Sequence, residues 1–223
     1  MNRLQEVDAT APLPREGQEG GAFFPSYYLA PISCYARMAQ CETYCIDVDE
    51  PYRKQTLRNR CWIASPNGPL SLTVPVAKFV PYHTPMRDIR ISDHGNWRHL
   101  HWNALRSTYG RSPFFEFYAD DFAPFYEKKW DFLIDYNQAL QEMVWEEIGG
   151  KEQEVGGRRK VLDIVGTRHV APETDNLLSD GCNTPRPYYQ LFSDRHGFMP
   201  DLSIVDLLFT MGPESILYLI RNE

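Results

Sequence analysis

The run from Ala22 to Val48 constrains this chain more than any other stretch. Ala22–Phe24 is short, apolar and strand-like, and Pro25–Pro31 (PSYYLAP) is a loop. Pro31 suits the first turn of a helix, because proline's fixed φ is already helical and its missing N–H would have no helical partner. Ile32, Tyr35, Met38 and Ala39 then recur at helical spacing on one face. Cys45–Val48 alternates, with Ile46 and Val48 on one side and Asp47 and Asp49 on the other. Strand, loop, helix and strand in about 27 residues is the pattern of a βαβ unit, which predicts an α/β fold with a right-handed crossover.

The remaining segments extend that core. Arg53–Asn59 is predicted helical. Cys61–Ser65 and Leu70–Val76 read as strands joined by Pro66-Asn67-Gly68-Pro69, and Asn67-Gly68 predicts a type I′ hairpin turn, since both residues accept positive φ. Ile89–Ser92 reads as a short strand and Trp97–Tyr109 as a helix. Ser112 and Pro113 are predicted as N-cap and first residue of the next helical segment. Its aromatics, from Phe114 to Phe132, exceed what one helix buries, so short helices should pack on the α/β part. Phe132–Ile148 is the longest helix, stopped by Gly149-Gly150. Val161–Val165 reads as a strand, and Leu202–Met211 and Glu214–Arg221 as helices broken at Gly212-Pro213. The predicted fold class is α/β: a small, mainly parallel sheet with a β-hairpin, and a helical C-terminal half packed on it. Residues 1–21 read as a disordered tail and 22–223 as one domain, with a charged linker near 150–160 and a polar surface loop at 171–187.

Charge limits the function. Lys and Arg total 23 against 30 Asp and Glu, a formal charge of −7. That balance speaks against a nucleic-acid binder. No apolar run approaches the roughly 20 residues of a membrane span, so none is expected. The first 21 residues have no apolar signal core, and five cysteines do not read as a disulfide framework, so a reducing, cytoplasmic setting is expected. Cys41 and Cys45 form a CxxxC pair without the partners of a zinc site, and the cysteines at 34, 41, 45 and 61 read as small buried hydrophobes. No metal ligand set is predicted, and no cofactor is identified.

Against this acidic background, Tyr52–Arg60 (YRKQTLRNR) packs four cations into the eight residues from Arg53. Lys54 and Arg58 are i,i+4 and would share a helix face, with Arg60 just beyond. Arginine's planar fork matches phosphate or carboxylate, and lysine adds a mobile charge, so the cluster describes an anion site. The competing reading is a solvated basic face paired with Asp47, Asp49 and Glu50. The cluster follows the C-terminal end of a predicted strand, where α/β folds place ligands. The loop Pro25–Pro31 is a second candidate, carrying Tyr28, although it lacks a Gly-rich phosphate fingerprint. On the 97–109 helix His99 and His101 point about 200° apart, which weakens a metal reading. His101 remains as a single candidate general base, against the alternative of a satisfied buried histidine. No GxSxG, Cys–His or HExxH signature is present. Asp120-Asp121 and Asp131/Asp135 are explained by helix ends and surface.

The strings SYYLAPISCYARM, YRKQTLRNRCWIASPNGPLSLTVPV, HWNALRSTYGRSPFFEFYADD, FLIDYNQALQ and GFMPDLSIVDLLFTMGPESILYL resemble the WbqC-like protein family, in the form common in Bacteroidetes. The resemblance covers residues 22–223 apart from the linker and the polar loop. It implies a transferase that attaches an amino-acid or acyl group to a sugar in surface-polysaccharide (O-antigen) biosynthesis, without an established mechanism. The alternative is a non-catalytic binding protein for an anionic metabolite or nucleotide; a third is that the basic cluster meets an acidic partner chain. The family's recurrent polar positions fall on Tyr28, Lys54, Arg58, Asn59, Arg60, Asn67, Gly68, His101, Tyr109, Ser112 and Pro113. Its first loop often reads QPxYxP, and the Gln is missing here. The expected site is a crevice between the 25–31 loop, the 54–60 segment and the 97–112 helix. Lys54, Arg58 and Arg60 would hold the anion of a nucleotide-sugar, CoA or acyl-adenylate, and Asn59 would orient it. Tyr28, Tyr109 and Ser112 would line the crevice, and His101 would move the proton.

Overall fold

The structure, a computed structural model, describes residues 21–41, 43–149, 162–163 and 186–220. It opens with the expected unit: β1 (Gly21–Pro25), α1 (Ile32–Gln40) and β2 (Thr43–Asp47). β1 and β2 pair in parallel, Gly21 opposite Thr43 through Pro25 opposite Asp47. Leu162–Asp163 (β5) adds a third parallel strand beside β2, giving the order β1-β2-β5. Parallel strands are covered on both faces, and Phe24, Tyr44, Cys45 and Ile46 are accordingly all buried. Gly21 lies in β1 and not in the tail, while residues 1–20, 150–161 and 171–185 lie outside the described residues.

The hairpin is present as β3 (Arg60–Ile63) and β4 (Leu70–Thr73), antiparallel, with Arg60 opposite Thr73 and Trp62 opposite Ser71. Its turn is not type I′. Only Gly68 takes a positive φ, at 101°, and its N–H donates to the Ser65 carbonyl at 3.1 Å. The flanking Pro66 and Pro69 lengthen the connection beyond two residues. Residues 53–59 are not a helix. Gln55 sits at φ 61°, and the Leu57 carbonyl is drawn to the Tyr28 N–H. Arg90 and Ile91 make single bridges, to Phe132 and Val76, where a strand was expected.

Beyond the hairpin the described residues are mainly helical: α2 (Trp97–Tyr109), α3 (Phe115–Glu127), α4 (Leu133–Gly149), a single turn α5 (Ser193–His196), α6 (Ile204–Met211) and α7 (Ser215–Ile220). α3 begins at Phe115, so Ser112 and Pro113 are not its cap and first residue. Ser112 Oγ donates instead to the Tyr109 carbonyl at 2.7 Å, closing the turn that ends α2. Phe209 of α6 gathers the rings of Tyr109, Phe115 and Phe122 at 5.1–5.3 Å. Buried side chains from the sheet, the hairpin and the helices form one continuous apolar cluster. Among the described residues no helix is long and apolar enough to cross a membrane.

Candidate functional site

The loop after β1 is held by hydrogen bonds from the segment before α6. Leu29, a bulky residue at φ 43°, occupies the left-handed region that side chains with a Cβ rarely adopt. The segment before α6 runs beside it. Ser203 Oγ donates to the Leu29 carbonyl at 2.8 Å, Ile204 N–H to the Ala30 carbonyl at 2.9 Å, and Ile32 N–H to the Leu202 carbonyl at 3.0 Å. Ser203 N–H also donates to the Trp62 carbonyl at 2.8 Å, so this one residue ties the loop to β3. Asp201 adds a tether, accepting from Ser33 N–H and Oγ at the start of α1.

That scaffold fixes Tyr28, which is fully buried. Its hydroxyl lies 3.0 Å from His101 Nδ1 and 3.1 Å from Tyr126 Oη. His101 reaches it because Trp97, His101 and Leu105 are spaced by four on α2 and form one buried stripe. The Thr73 backbone also lies beside the imidazole. Tyr28 Oη and His101 Nδ1 share the hydrogen bond between them, and the imidazole tautomer sets which of them donates. Burial holds the imidazole down at about 4, with the Thr73 backbone pulling weakly the other way, so His101 is neutral at pH 7. Burial pushes the Tyr28 phenol well above its ordinary 10, helped by the neighbouring Tyr126 and Tyr136 hydroxyls. Tyr136 stacks on Tyr28 at 5.7 Å between ring centres.

The three cations meet different partners, although Arg58 and Arg60 both act on the Tyr52 hydroxyl. Arg58 is only 3% exposed, and its fork is occupied: Nε and Nη2 donate to the two oxygens of Glu50, the first at 2.9 Å. Lys54 is exposed, with its ammonium 5.1 Å above the Phe79 ring. Arg60 donates through Nε to Thr73 Oγ1 at 3.0 Å. Asn59 prolongs the hairpin, its Nδ2 donating to the Val74 carbonyl at 2.8 Å while its own carbonyl accepts from Val74 N–H. The 57–59 segment does meet the 26–28 loop, through Tyr28 N–H and through Asn137, whose Nδ2 reaches both Ser26 Oγ and the Arg58 carbonyl.

Tyr109 and Ser112 belong elsewhere. Tyr109 lies eight residues, about 12 Å, along α2 from His101. Its hydroxyl donates to Asp206 Oδ1 at 2.7 Å and accepts from Ala64 N–H at 3.2 Å. Asp206 Oδ2 accepts from Tyr188 Oη at 2.5 Å and Gln190 Nε2 at 3.2 Å. Asp206 has no exposed surface, and burial raises its carboxyl above the usual range despite these three donors. The sequence reading missed Asp206, although a lone charge inside Ile204–Phe209 (IVDLLF) signals a buried acid. It also missed the bridging role of Asn137.

Two comparisons with known proteins bear on this arrangement. The model of the WbqC-like protein family matches residues 26–155, which include the 26–31 loop, the 52–60 segment, the hairpin and all of α2. The uncharacterized protein Rv1507c of Mycobacterium tuberculosis is 26% identical over 226 residues, 89% of this chain and 96% of that protein. No solved structure matches.

Proposed function

We propose, from the premise that the chain belongs to the WbqC-like protein family, that it is a transferase moving an amino-acid or acyl group from an anionic activated donor to a sugar hydroxyl in surface-polysaccharide biosynthesis. The observation that carries this reading is the contact of Tyr28 Oη with His101 Nδ1 at 3.0 Å. A hydroxyl attacking an acyl carbonyl must lose a proton. A neutral imidazole can take that proton through the Tyr28 hydroxyl that meets its Nδ1. The leaving group departs with the donor's negative charge. Arg58 is excluded as its anchor because Glu50 fills the fork, which leaves Lys54 and Arg60. Catalysis of this kind rests on positioning and charge stabilisation without a covalent enzyme intermediate.

The test is turnover of radiolabelled aminoacyl and acyl donors with a sugar acceptor. His101→Asn is expected to abolish transfer while retaining the wild-type circular dichroism spectrum. Undiminished transfer in that variant sinks the reading.

One observation favours a second reading, a binding protein without chemistry: Tyr28 and His101 are 0% and 5% exposed, sealed from bulk solvent. Such a protein is stabilised by AMP, CoA or a nucleotide-sugar, by about 2.7 kcal/mol at a hundredfold excess over the dissociation constant, yet turns none of them over.

A further inference from the structure

Alternation along β3 sorts its side chains into two sets. Cys61 and Ile63 point inward and are buried, whereas Arg60 and Trp62 stand on the outer face. Opposite them on β4 are Thr73 and Ser71, both half-buried. The bond from Arg60 Nε to Thr73 Oγ1 fixes the guanidinium at one edge. Its two terminal nitrogens take part in no hydrogen bond or ion pair among the described residues. Arg58, two residues earlier, shows the contrast: there Nε and Nη2 are closed by Glu50 and Nη1 by the Thr56 hydroxyl. Trp62 is 42% exposed, whereas Trp97 is 4% exposed, and its indole makes no ring contact among the described residues.

An oriented guanidinium with an open fork recognises phosphate, and an uncovered indole face is a platform for a planar ring. Residues two apart on a strand are about 6.7 Å from one another, comparable with the span from a nucleotide's base to its 5′-phosphate. We propose that the outer face of the hairpin is a nucleoside-phosphate site, with the phosphate on Arg60, the Thr73 hydroxyl beside it and the base stacked on Trp62. This deepens the reading of an anionic donor by assigning it a nucleotide moiety, and it rests on that reading but not on any chemistry at His101.

The experiment uses the full chain labelled with ¹⁵N-tryptophan, with the Trp62 indole resonance assigned by Trp62→Phe. It is titrated with UMP and AMP, and with uridine, inorganic phosphate and glucose 1-phosphate as separate arms. A nucleotide is expected to shift the Trp62 resonance, with each of the other three arms at least about tenfold weaker. By isothermal titration calorimetry, which needs no Trp62 resonance, Arg60→Gln and Trp62→Ala should each weaken nucleotide binding about tenfold or more, while Trp62→Tyr, which keeps a stacking ring, stays within about threefold. Unshifted melting temperatures show that the variants fold, as expected for outward-facing side chains. Nucleotide binding that neither substitution weakens overturns this site and leaves the anionic-donor reading standing. Glucose 1-phosphate or phosphate binding as tightly as UMP overturns the base-stacking half. If neither nucleotide binds the wild type, the site falls; if CoA and a nucleotide-sugar also fail to bind it, the anionic-donor reading falls too.

Discussion

His101 couples its place in the fold to pH. Its folded value of about 4 lies below the ordinary 6.5, so as pH falls the unfolded chain takes up a proton before the folded one does. Its contribution to stability is therefore intact above about 6.5 and is lost as pH falls toward 4, by up to about 3 kcal/mol. Asp206 works in the opposite sense, since protonation relieves the burial of its carboxylate. Comparing wild type with His101→Asn cancels that contribution. Urea midpoints at pH 7.5 and 4.5 should differ more for the wild type, and equal differences would place the titration elsewhere. Tyr109→Phe strands both Asp206 Oδ1 and Ala64 N–H. It should cost about 2–4 kcal/mol in chemical denaturation, since each buried group loses its hydrogen-bond partner. At this scale the sequence singled out His101 and Tyr28 separately, as a candidate general base and a loop hydroxyl, and the structure brings the two side chains into contact. The competing reading, a basic segment paired with nearby acids, holds for Arg58, which Glu50 neutralises. Glu50 and Arg58 are eight residues apart, and only the non-helical path of residues 53–59 brings them together.

Among the elements, those with strong periodicity were legible and those shaped by remote contacts were not. α2 runs from Trp97 to Tyr109 as its apolar spacing indicates. The 53–59 segment has helix-forming residues, yet a main-chain bond to Tyr28 and the Glu50–Arg58 pair outweigh that weak local preference. The start of α3 was misplaced because Ser112, a good cap by type, spends its hydroxyl on the preceding turn. The break between α6 and α7 was placed correctly at Gly212-Pro213, and the structure supplies the reason for the glycine. Gly212 sits at φ 56°, and a Cβ there would lie 2.5 Å from the Phe114 ring. Gly212→Ala should therefore destabilise by about 2 kcal/mol or more, from backbone strain and overpacking together. A melting temperature within about one degree of wild type would refute that account.

For the molecule as a whole, the βαβ start and the helical C-terminal half were readable because each arises from local pattern. The way the two halves interlock was not. That interlock is residues 201–204, which bind the loop at 29–33 across a sequence separation of up to 174 residues. Ser203→Ala removes the bond to the Leu29 carbonyl while leaving the backbone bonds of its neighbours possible. Amide exchange at Ile32 and Ile204 should quicken about fivefold to tenfold, the equivalent of one hydrogen bond of about 1 kcal/mol. Unchanged protection would mean that Leu29 keeps its left-handed conformation unaided. The same interlock sets a timetable for synthesis. At about 5–20 residues per second, translation leaves on the order of 10–30 s between the appearance of Tyr28 and that of its clamp. Through that interval a nascent chain holds an unfinished N-terminal sheet, whose exposed apolar face is what ribosome-associated chaperones are built to shield.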